Sequence, residues 1–95
     1  MKALVYQNQT ISLTERKKPE IISPRDAIVK VALSSICTSD LHIIRGFVPQ
    51  AKDGIILGHE FVGEVVETGS EITNLKVGDR VCANCETFCG ECYFC

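Results

Sequence analysis

No apolar run in this 95-residue chain approaches the roughly 20 residues that a membrane-spanning helix needs, which excludes a transmembrane protein and any membrane partner. The N-terminal stretch Met1–Gln7 is also too short and too polar for a signal peptide. Nor is there an excess of basic residues. Ten Lys and Arg stand against twelve Asp and Glu, for a net charge of −2, so the basic stripe that binds phosphate backbones is missing and nucleic acid is excluded as a partner. Internal repeats and low-complexity linkers are absent, as is any G-x-G-x-x-G dinucleotide-binding turn. The length leaves no room for a second full domain, and a chain of this size is expected to bury roughly 60–65% of its unfolded surface. With 45% apolar and 23% charged residues, the composition is that of a folded, soluble protein, expected in the cytoplasm.

Cysteine is the abundant exception. Five of the six lie in the last fourteen residues, as Cys82, Cys85, Cys89, Cys92 and Cys95 in the spacing C-x2-C-x3-C-x2-C-x2-C. Disulfides across two or three residues close almost no loop and stabilise little. Thiolates two residues apart can instead face one zinc ion from a tight turn, at about 2.3 Å each, and four complete a tetrahedron. Redox C-x-x-C chemistry and plain packing are the alternatives. Because the chain stops on a candidate ligand, Cys95, it is expected to be the N-terminal piece of something longer.

The remaining pattern is β-rich. Ala3–Tyr6 and Ile11–Thr14 read as a hairpin joined by polar residues, and Ile28–Leu33 as a half-buried strand with Val29, Val31 and Leu33 on one face. Phe61–Glu67 reads as a strand whose two glutamates fall on opposite parities, which predicts a bulge or bend near Gly63. Lys76–Val81 reads as a turn into a strand, with Cys82 beside it in the core. Between the strands, the small polar residues of Cys37-Thr38-Ser39-Asp40 precede Leu41, Ile43 and Ile44, predicting a short helical turn closed by Gly46. Short strands with frequent turns predict an all-β barrel or sandwich.

Two further clusters carry chemistry: Cys37-Thr38-Ser39-Asp40-Leu41-His42 and Gly58-His59-Glu60. A catalytic zinc takes three protein ligands and keeps one position open, and Cys with His is an ordinary mixture for it. Cys37 and His59 are the first two candidates. Glu60 is either a third ligand or a carboxylate just behind the metal.

The Cys-Thr-Ser-Asp-x-His block, the Gly-His-Glu-x-x-Gly block, Val-Gly-Asp-Arg-Val and the closing Cys-Gly-x-Cys-x-x-Cys, in this order, resemble the N-terminal part of zinc-dependent medium-chain alcohol dehydrogenases. The resemblance covers essentially the whole chain. It implies an all-β, GroES-like distorted barrel with short helical turns, incomplete at its C-terminus, as residues 1–95 of a catalytic domain, with a Rossmann domain for NAD or NADP lying beyond. It further implies that Cys37, His59 and Glu60 serve a catalytic zinc, with Asp40 orienting His59. Ser39 would bond the substrate oxygen, His42 would pass the proton onward, and Thr38 would lie near the cofactor. Cys89, Cys92 and Cys95 match three of the four ligands of the family's structural zinc. The position of the fourth is absent, which makes Cys85 a possible surrogate. The implied parent oxidises a small alcohol or reduces a carbonyl as a homo-oligomer, and the 95-residue chain alone is expected to be inactive.

Simpler roles stand beside these. Cys37 is also a plausible small core residue and His59 a hydrogen-bonded structural one; Ser39 and Asp40 are good N-caps, His42 a solvated helix residue, and Glu60 a salt-bridge partner for Arg45 or Arg80. Two rival classes remain at this point. One is a non-catalytic zinc module held by the terminal cysteines; the other is a co-chaperonin-like assembly subunit, suggested by the barrel alone.

Overall fold

In the computed structural model, which describes residues 1–95, the chain opens with an antiparallel hairpin of β1 (Lys2–Gln7) and β2 (Thr10–Glu15). Its two-residue turn is Asn8-Gln9, both at positive φ (51° and 55°), the left-handed pair that matches the twist of the flanking strands. A three-stranded antiparallel sheet follows, in the order β3 (Ala27–Ser35), β4 (Glu60–Thr68), β5 (Arg80–Cys82). One short helix, α1 (Thr38–Ile44), lies between β3 and β4 and ends at Gly46, as its sequence predicts. The architecture is therefore all-β apart from α1, and no helix is long and apolar enough to cross a membrane. The two sheets do not close into a barrel within these residues.

What links the sheets is the segment before β4. Residues 54–57 run beside the second edge of β1: the Tyr6 amide donates to the Ile55 carbonyl (3.0 Å), Gly54 to Tyr6 (2.8 Å) and Leu57 to Leu4 (2.9 Å). The hairpin thus carries residues 54–57 to the doorstep of Gly58-His59-Glu60. The small core sits on the same elements, with Ala3, Val5 and Tyr6 of β1 and Val65 of β4 buried.

Register between β3 and β4 is pinned by two bulges. Ile28 pairs with Glu67 but Val29 with Val65, leaving Val66 as the extra residue on β4; Val31 pairs with Gly63 but Leu33 with Val62, leaving Ala32 extra on β3. A bulge thus falls at the Gly63 pair, where the sequence predicts one, although its extra residue is on β3; the second bulge, at Val66, lets Glu64 and Glu67 both reach solvent around buried Val65. Gly63 has another task. A Cβ there would drive into the Lys30 carbonyl and come within 2.7 Å of Val29 Cγ1. Gly63→Ala is expected to cost about 2 kcal/mol or more, the overpacking range, because one contact is backbone and has little room to yield. A fall in the urea midpoint at constant slope would report it; an unchanged midpoint would contradict the close approach.

Burial is lower than the length predicts. The accessible surface is 7617 Å², against about 5,400 Å² for a compact monomer of this mass. Val31 and Leu33 are 52% and 71% exposed, so the expected inward face of β3 is half open: the Ala32 bulge breaks the alternation and no second layer covers the strand beyond Lys30. Cys82 is likewise exposed rather than core, because β5 is an edge strand.

Candidate metal centres

The first cluster follows from strand pairing. The C-terminal end of β3 lies against the N-terminal end of β4, with Ser35 opposite Glu60 and the Ser34 hydroxyl donating to the Glu60 carbonyl (3.1 Å). Two residues past Ser35 is Cys37, and one residue before Glu60 is His59. Antiparallel ends thus bring together groups more than twenty positions apart, and the ligand atoms of Cys37, His59 and Glu60 all lie within 4.8 Å of one another. Glu60 makes no ion pair with Arg45 or Arg80.

Helix α1 completes the surroundings. Its N-cap is Cys37, rather than Ser39 or Asp40; Asp40 sits at the third helical position, where its Oδ2 accepts from the Cys37 amide at 3.0 Å, the reciprocal half of a capping box. That bond fixes the buried carboxylate, only 5% exposed, with Oδ1 turned to His59 Nδ1 at 3.4 Å. Oδ1 is buried without a hydrogen-bond partner. On the other side of the ring, the Ser39 hydroxyl lies 3.1 Å from His59 Nε2. Hydrogen bonds from the Ser39 hydroxyl and amide, then from His59, hold the Cys37 thiol below its ordinary pKa. His59 is raised, chiefly by its hydrogen bond to Cys37 and then, against the cost of burial, by the charge of Asp40. The sulfur is thus biased toward the thiolate that a metal requires.

This donor set fits zinc. It offers sulfur, nitrogen and oxygen from three residues, and the orphaned Oδ1 of Asp40 is an acceptor waiting for the Nδ1–H that a histidine presents when Nε2 binds metal. The other members of the motif are less tightly gathered. Thr38 is exposed at the start of α1, and His42 is exposed further along with its ring 5.8 Å from that of Phe47. A groove of about 560 Å³, lined by Ser35, Glu60, Phe61, Cys82, Asn84 and Cys85, opens beside Glu60 and is large enough for a small ligand.

The second cluster lies in the terminal loop. Cys89, Cys92 and Cys95 converge, with Cys95 Sγ 3.4 Å from Cys92 and 3.6 Å from Cys89. The Glu91 and Cys92 amides donate to Cys89 Sγ at 3.5 and 3.3 Å. These two backbone bonds, followed by contacts from Cys92 and Cys95, lower the Cys89 pKa to about 6. Three thiols at this separation fit a thiolate metal site. Cys85 is not among them. The chain bends at Cys85 and places it along the Glu60 groove with Cys82, apart from the three thiols for which it was the expected surrogate. Asp40 buried at the third helical position is the feature that simple capping rules undervalue, since its second oxygen serves the histidine.

The alcohol dehydrogenase GroES-like domain family matches residues 23–95, and the chain belongs to that family. Over all its residues the chain is 44% identical to an uncharacterized zinc-type alcohol dehydrogenase-like protein of Bacillus subtilis, covering 25% of that protein. Among solved structures, it superposes on the apo form of zinc-dependent alcohol dehydrogenase 2 from Streptococcus pneumonia with a TM-score of 0.94 and 45% identity, covering 100% of this chain and 28% of that one. It also matches a zinc-binding dehydrogenase from Sinorhizobium meliloti 1021, described as putative and bound to NADP, with a TM-score of 0.74 and 38% identity over 83% of this chain and 23% of that one. The chain thus spans about a quarter of the length of these relatives.

Proposed function

We propose that residues 1–95 form the N-terminal part of the catalytic domain of a zinc-dependent dehydrogenase that interconverts a small alcohol and its carbonyl compound with NAD or NADP. The cofactor would be held by a Rossmann domain elsewhere in a full-length, homo-oligomeric protein. The observation that carries this reading is the convergence of Cys37, His59 and Glu60 within 4.8 Å beside a small groove.

Zinc bound there would polarise the substrate oxygen and lower the pKa of an alcohol, as it lowers that of water from 15.7 to about 7. The chain's own residues do the rest. Cys37 and His59 hold the ion, and Glu60 supplies a carboxylate that can enter or leave its surroundings. Asp40 keeps the proton on His59 Nδ1, freeing Nε2 as a ligand. Ser39, whose hydroxyl lies 3.1 Å from Nε2, would accept a hydrogen bond from a substrate hydroxyl and release its own proton as it takes the substrate's. His42 passes that proton toward solvent, and Thr38 contacts the cofactor. Cys89, Cys92 and Cys95 hold a second, structural zinc, completed by a ligand outside residues 1–95.

Metal analysis of the full-length protein tests the division of labour. Two zinc ions per chain are expected, falling to one in Cys37→Ser with the terminal site still loaded. A single ion that is lost with Cys92→Ser but indifferent to Cys37→Ser would leave only a structural zinc module and reject the catalytic reading.

A further inference from the structure

Apart from the local bond of the Glu86 amide to Asn84 Oδ1 (3.2 Å), the terminal loop that carries the three thiols is joined to the rest of the molecule, beyond residue 85, by the hydrogen bonds of one side chain. Arg25 stands in the turn between β2 and β3, where its own amide donates to the Ser23 hydroxyl (3.2 Å) and the neighbouring Asp26 carboxylate accepts from the Ser23 amide (2.8 Å). Its guanidinium reaches more than sixty positions along the chain. Nη2 donates to the Cys89 carbonyl at 2.8 Å and Nη1 to Glu91 Oε1 at 2.9 Å. The two bonds straddle Gly90, whose φ of +75° makes the turn that points the Glu91 and Cys92 amides at Cys89 Sγ. A Cβ on Gly90 would lie 3.6 Å from Arg25 Nη2, so the fork lies across that face of the turn.

We propose that Arg25 is a positioning residue for the terminal metal centre: it holds the Cys89–Glu91 turn from outside and so presets the sulfur geometry. The inference rests on the zinc reading of that cluster. Arg25 and Glu91 side chains are 51% and 80% exposed, so their attraction is largely screened and the contribution is mainly geometric. Lysine could keep the charge but not grip the carbonyl and the carboxylate together, because only a planar fork presents two fixed donors.

The test is cobalt(II) and zinc binding to the full-length protein. Both sites contain a thiolate, so the charge-transfer band of cobalt is read for the terminal site in a Cys37→Ser background and for the Cys37 site in a Cys92→Ser background, and chelator competition gives each affinity. Arg25→Ala is expected to weaken the terminal site about tenfold and to speed zinc release, at the low end of the effect seen for groups that orient ligands. The Cys37 site should be unaffected, and Arg25→Lys should restore only part of the loss. Unchanged terminal affinity in Arg25→Ala, or equal weakening at both sites, overturns the inference. If Arg25→Ala does not fold, Arg25→Lys decides: terminal affinity below wild type supports the role, and wild-type affinity overturns it. Wild-type protein that takes up no metal on the terminal thiols would fail at the underlying zinc reading instead, an outcome distinct from an intact site indifferent to Arg25.

Discussion

His59→Ala in the full-length protein is expected to lower NAD(P)-dependent alcohol oxidation by about a thousandfold or more, the several kcal/mol that a Lewis acid contributes to such a barrier. The substitution removes one of three clustered candidate ligands and leaves the buried Asp40 carboxylate without the ring it faces. It also removes the ring whose hydrogen bond helps hold the Cys37 sulfur as thiolate, so the remaining ligands weaken together. Circular dichroism and zinc content measured alongside turnover separate loss of the ion from loss of the fold. Activity within tenfold of wild type, with the zinc retained, would show that the imidazole is not a ligand.

Asp40→Asn is expected to reduce zinc affinity at the same site by about 10- to 100-fold, leaving the terminal site unchanged. The replacement is nearly isosteric, and its carbonyl can still accept from the Cys37 amide, so the start of α1 should persist. The side-chain NH2 would then be turned to His59 Nδ1. Two donors in opposition force the ring to carry its proton on Nε2, the nitrogen needed for metal. Chelator competition against the wild-type protein measures the loss. Equal affinity in the two proteins would mean that the 3.4 Å approach of Oδ1 to Nδ1 has no part in orienting the ring.

Much of this arrangement was legible in local sequence because the deciding interactions are local. The Asn8-Gln9 turn, the short helix ended by Gly46 and the paired Cys spacings each depend on neighbours within a few residues. What was not legible depends on register. Alternation predicted a covered face for Val31 and Leu33, but a bulge at Ala32, visible only once β4 lies alongside, interrupts it. The bulge expected near Gly63 is present, but its extra residue is Ala32 on the partner strand, which β4 read alone could not assign, and Gly63 itself admits the Lys30 carbonyl. Cys82 looked like a core position because Val81 precedes it; whether a strand is central or at an edge is not written in three residues. The orienting role of Asp40 was legible only through the family resemblance, not from local pattern, since its second oxygen faces a ring that arrives from another strand.

The extra residue at Ala32 sets the phase of everything downstream in β3. Side chains alternate with a period of two, so removing that residue would rotate positions 33–35 by half a cycle against β4 and send the Cys37 sulfur toward the wrong side of the sheet. The connection from α1 to Gly58 faces no such constraint from β3, because its far end is moored separately along β1. Length changes in homologous chains should therefore gather between Gly46 and Gly54 and avoid Leu33–Cys37, where even one insertion would put the sulfur and the imidazole out of step.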